Sequence, residues 1–130
     1  MTEYELVDTF YTIASLSDQL VASFITLLFA FLVASYLTSS KLDRKMTAVV
    51  ITLYSYMALR YIVIHHNVAG DIATLAETLT ELSLREGSSL GWLEIGAGIS
   101  TMHITQSVAM FLSFAASIFF FFHTRQSSDE

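Results

Sequence analysis

The sequence predicts an all-α integral membrane protein with three transmembrane helices. Three observations predict it. Met46 to Ile64 is a run of 19 residues interrupted by a single charge, Arg60. Two further runs, Gln19–Ser40 and His103–His123, carry no charge at all. Hydrophobic residues make up 54% of the chain and charged residues 14%, where a soluble domain carries about 25% charged residues. At 1.5 Å per residue the 19-residue run covers roughly 28 Å, close to the thickness of a hydrocarbon core. A chain of 130 residues is too small to hide three such runs from water in a core of its own.

Composition also excludes function classes. The net charge is −6, and the six Lys and Arg residues form no extended patch, so nucleic acid is not an expected partner. There is no cysteine, which removes disulfides, thiolate metal sites and cysteine nucleophiles together. There is no proline, so the spans are expected without proline kinks.

Residues 1–18 hold four acids (Glu3, Glu5, Asp8, Asp18) and no lysine or arginine, unlike the basic start of a secretory signal. Tyr4, Val7, Phe10, Tyr11 and Ala14 recur at helical spacing, which predicts a short amphipathic helix at the interface. Residues 19–40 are the first span. Ala22, Thr26, Ala30, Ala34 and Thr38 recur every fourth residue along it. Small stripes let membrane helices approach closely, so this stripe is the expected packing face, with Phe24, Leu28, Phe31 and Leu32 away from it.

Residues 41–45, KLDRK, are a tight turn with three of the six basic residues. The positive-inside tendency puts this turn in the cytoplasm and the N-terminus outside. The link is short, so the first two spans form an antiparallel hairpin. Residues 46–67 are the second span. Arg60 lies roughly 21 Å above its inner boundary by helical rise, where a cation either snorkels or finds a polar partner. Asp18 is the first choice of partner and Glu94 the second. His65 and His66 close the span. Neighbouring helical positions point about 100° apart, so the two do not share a metal as an i, i+4 pair would.

Residues 68–102 are an outer loop. Asp71 caps an expected helix over about 71–86, in which Ile72, Leu75, Leu79 and Leu82 make an apolar edge. This helix is too short to span. It lies on the outer leaflet or docks on another subunit. Residues 88–102 (SSLGWLEIGAGISTM) either extend the third helix or re-enter the membrane, with Glu94 as their single charge. Residues 103–123 are the third span, in which Ala109, Ser113 and Ser117 repeat every fourth residue as a second packing stripe. Residues 124–130 form a short polar tail, expected to be disordered.

Counting residues gathers Asp18, Gln19, Arg60, His65 and His66 in the outer third, with Arg60 roughly 10 Å deeper than Asp18. Glu94, His103 and Gln106 join them from the third segment. The inner half has no polar counterpart. No serine sits in a nucleophile-elbow pattern and the histidines lack HExxH spacing, so no catalytic residue, metal or cofactor is expected. Histidines on separate spans would permit a haem or copper site without demanding one. In layout alone, three spans with the N-terminus out and the C-terminus in, the chain resembles one class of phage holins. Those usually end in a basic tail, and this tail reads TRQSSDE, so no function is carried over. The expectation is a non-enzymatic, multi-pass subunit or accessory protein in a plasma or bacterial inner membrane. Its expected partners are membrane lipid and copies of itself or other membrane subunits. An oligomeric pore or transporter lined by the outer polar cluster is the alternative.

Overall fold

A computed structural model of the chain describes residues 2–86 and 96–127, with side chains at 2, 4–82 and 104–127. Three helices account for nearly all of it: α1 (Glu3–Thr38), α2 (Arg44–Glu86) and α3 (Gly96–Ser127). No described residue is in a strand. All three helices are long and apolar enough to cross a membrane, and each packs against the other two.

α1 starts at a capping box. The Glu5 amide donates to the Thr2 hydroxyl at 3.3 Å, and the Thr2 amide donates to the Glu5 carboxylate at 2.8 Å. Two amides that a helix start leaves without partners are thereby satisfied. The helix ends in a 3₁₀ turn, Ser39–Lys41. Asp43 then opens α2: its carboxylate accepts the Met46 amide at 2.7 Å, and its carbonyl accepts the Thr47 hydroxyl at 2.7 Å.

Two helices expected as separate are continuations. Residues 1–18 do not form an interfacial helix apart from the first span, because α1 runs unbroken from Glu3 to Thr38. Residues 71–86 are not a separate outer helix, because α2 runs unbroken from Arg44 to Glu86. Asp71 therefore caps nothing. No glycine or proline lies between Glu3 and Thr38, so backbone chemistry does not stop α1 at Asp18. Gly70 costs α2 about 1 kcal/mol relative to alanine, and packing on either side of it overrides that cost. Within the chain, the apolar edge packs on α1. Leu79 and Ala76 are buried against Leu6 and Phe10 of α1, with Ile72, Leu75, Leu82 and Val7 around them. We call this paired extension, α1 before Ser17 and α2 after His65, the stalk.

Below the stalk lies the larger core: Phe24 and Phe31 of α1, Tyr54, Ala58 and Ile62 of α2, Met110 and Phe121 of α3. The Phe31 and Tyr54 rings stack 3.6 Å apart with planes 3° from parallel, and Phe121 lies 5.7 Å from Phe31. The expected packing face of α1 is thus turned outward. Ala22, Thr26, Ala30, Ala34 and Thr38 are all exposed, and Phe24 and Phe31 are inside. The rings win because stacking them fills the space between three helices, which a row of methyl groups does not. The outward hydroxyls are satisfied within α1. Thr26 donates to the Ala22 carbonyl at 2.9 Å and Thr38 to the Ala34 carbonyl at 2.7 Å. The second stripe is split. Ala109 is exposed, Ser113 is half-buried and Ser117 is buried.

Ser117 meets the Tyr54 hydroxyl at 2.7 Å, a polar tie between α2 and α3 inside the apolar core. Tyr54→Phe is expected to cost about 1 kcal/mol, the usual size of an interhelical hydrogen bond in a membrane bundle. Thermal unfolding in detergent measures it; Tyr56→Phe, at an exposed position, is the control and should change nothing. α3 starts at Gly96, seven residues before the expected span, and its helix includes residues 124–127 of the expected disordered tail. At this end Arg125 donates to the Thr47 hydroxyl, joining α3 to α2.

Candidate functional site

Polar contacts between helices gather where the stalk meets the large core. His65 is fully buried, and its Nε2 lies 3.2 Å from the Ser17 hydroxyl of α1. His66 is exposed, and its Nδ1 lies 3.1 Å from the Ser107 hydroxyl of α3. The two adjacent imidazoles point to different neighbours, as the 100° step of a helix requires. One ties α2 to α1 and the other ties α2 to α3. A serine beside an imidazole is also the contact that activates a nucleophile. Here His65 has no exposed surface and Ser17 is half-buried. We read the pair as a collar that sets the register of the three helices.

The collar and the Arg125–Thr47 contact bracket the core. From Thr47 to His65 is 18 residues, and so is Ser107 to Arg125. Both spans are roughly 27 Å long by helical rise, near the thickness of a hydrocarbon core. Sequence reasoning placed the histidines at this level but missed Ser17 and Ser107. Ser17 falls on a seven-residue repeat with Phe10, Phe24 and Phe31, whereas Ser107 carries no signal beyond its level on the helix.

Arg60 lies five residues below His65 and is exposed. It makes no ion pair with Asp18, which is itself exposed. Ser17 rather than Asp18 is the residue of α1 that meets α2 at this level. Glu94 and the side chain of His103 lie outside the described residues. Gln19 and Gln106 are exposed. The expected cluster therefore divides. His65 and His66 join helices, while Asp18, Gln19, Arg60 and Gln106 face outward.

Arg60 heads a groove between α1 and α2. Its upper part, about 260 Å³, is lined by Leu20, Met57, Arg60, Tyr61 and Ile64. The adjoining part, about 520 Å³, shares Met57 and Tyr61 and runs along Ala22, Ser23, Thr26, Leu27 and Ala30 of α1. The outward small stripe thus forms one wall of this groove. A guanidinium exposed to hydrocarbon costs at least a few kcal/mol unless it reaches water, a headgroup or an acid.

No family model, curated protein or solved structure matches this chain. Its function is therefore argued from the geometry alone. Among the described residues, no group of three His, Asp or Glu side chains is placed to hold a metal ion. The geometry offers a paired-helix stalk, a filled three-helix core and a groove headed by a cation.

Proposed function

We propose that the protein is a small, non-enzymatic, multi-pass membrane subunit or accessory protein, and that its stalk is the part that meets a partner protein. In this reading the KLDRK turn is cytoplasmic, the stalk stands outside, and α3 returns the C-terminus to the cytoplasm. One observation carries the reading. α1 and α2 leave the apolar core without a break and close on each other through Leu6, Phe10, Ala76 and Leu79. A pair of helices held that way is a stiff post, which suits positioning a partner and leaves no hinge for a lid. Its exposed flanks carry Glu5, Asp8, Asp71, Glu77 and Glu81, with no lysine or arginine among residues 3–17 and 67–82. A partner with a basic surface fits them.

The test is stoichiometric co-purification in mild detergent. Glu77→Lys with Glu81→Lys is expected to release a bound chain, and Lys45→Glu at the opposite end to retain it. Equal retention by both would remove the stalk from the interface. Orientation is checked with single cysteines at Thr2 and Ser127, since the chain has none of its own. An impermeant reagent should label Thr2→Cys in intact cells and spare Ser127→Cys.

A second reading, an oligomeric pore, is favoured by one feature. Thr12, Ser15, Gln19, Ser23 and Thr26 line the outward side of α1, which would face a channel if several copies met there. Ion flux in liposomes separates the two readings.

A further inference from the structure

We propose that the groove between α1 and α2 is a binding site for one anionic phospholipid, with its phosphate on Arg60 and an acyl chain along α1. The inference rests on the membrane placement proposed above but not on the stalk or its partner. Three observations converge. Arg60 is the sole lysine or arginine between Lys45 and Arg85, and no described carboxylate pairs with it. It sits roughly 7 Å below the His65 collar by helical rise, so its long side chain reaches the level of headgroups. The groove below it is walled by Met57, Leu27, Ser23 and Ala30, and from Leu20 to Ala30 it continues for roughly 15 Å toward the turn.

A cation at the interfacial end and a small-walled apolar trough below it match the two ends of a phospholipid in the right order. The guanidinium fork suits the two free oxygens of a phosphodiester, and Tyr61 stands beside it. A second copy of this chain is a poorer occupant. The carboxylates of the described part lie in the stalk, at Asp18 beside the collar roughly 6 Å above Arg60 by helical rise, and at Asp43, and none lies along the groove below Arg60.

The experiment is native mass spectrometry of the full chain in mild detergent, titrated with phosphatidylglycerol or phosphatidylcholine. The wild type should retain one phosphatidylglycerol more tightly than the rest of the lipid belt. Arg60→Gln should weaken that one molecule about tenfold, the loss of a charge-assisted contact. Arg60→Lys should keep most of it, and Ala30→Phe, which fills the trough while leaving the cation, should also weaken it. Arg60→Gln retaining phosphatidylglycerol as well as the wild type would overturn the site. So would a photo-crosslinking residue at Ser23 that captures a second copy instead of lipid. A chain that stays soluble without detergent would instead defeat the membrane placement itself.

Discussion

Leu79→Ala is expected to cost the stalk about 2–5 kcal/mol, the range for a fully buried leucine cut back to its β-carbon. Leu79 has no exposed surface and sits in the middle of the small cluster that closes α2 on α1. In the proposed placement this cluster is in water, so both parts of the penalty apply: the lost transfer of the side chain and the cavity left behind. Among the described residues four buried side chains hold the cluster, with Val7, Ile72, Leu75 and Leu82 packed around them, so a loss of this size is enough to open it. Amide hydrogen exchange reads the effect locally. Protection should fall in residues 3–16 and 69–82 and hold in residues 47–62. Thr78→Ala, on the exposed side of the same turn, should leave both regions unchanged.

Phe121→Ala is expected to be the most damaging single truncation in the large core. Phe121 is 1% exposed and lies 5.7 Å from Phe31, which in turn stacks on Tyr54. In a water-soluble core the change would cost about 3–5 kcal/mol. Lipid tails are nearly as apolar as the side chain, so much of the transfer part is not lost in a membrane. The cavity and the missing dispersion contacts remain, which puts the expectation at the low end, about 3 kcal/mol. Phe119→Ala is the internal control. Phe119 is 73% exposed, so its removal opens no cavity and should shift the detergent melting temperature little.

The apolar runs and the basic turn were legible in the sequence because membrane crossing depends on length and charge, which are one-dimensional quantities. The three helices stand where those runs stand. The extent of each helix was less legible. Gly70 followed by Asp71 reads as a stop and a cap, but local signals of about 1 kcal/mol yield to packing on both sides. A signal that crosses the apparent break was present. Tyr54, Ala58, Ile62, His65, Ala69, Ala76 and Leu79 are buried, and they recur in steps of three, four or seven. Phe10, Ser17, Phe24 and Phe31 recur every seventh residue on α1. A seven-residue repeat that continues through a glycine marks one helix and its seam.

Which face of α1 turned inward was not decided by residue size. Small residues permit close approach, but they do not compel it when aromatic side chains on the other face have rings to stack on. In the candidate site, helical rise fixes the spacing of His65, His66 and Arg60 along α2. It could not give their directions, because a hydrogen-bond partner depends on the rotation of two helices. That Ser17 meets His65 and Ser107 meets His66 became visible only once those rotations were known.

The central claim is that α2 passes from the apolar core into the stalk as one straight helix. With no native cysteine, spin labels can be placed at Leu53→Cys and Glu81→Cys, both exposed, and their separation measured by pulsed electron resonance in nanodiscs. An unbroken helix predicts a single narrow distribution near roughly 42 Å. A helix that turns at Gly70 to lie on the membrane would give a distance near roughly 30 Å, from the same rise and a right-angle bend. That shorter distance, or a broad distribution reaching it, would contradict the account.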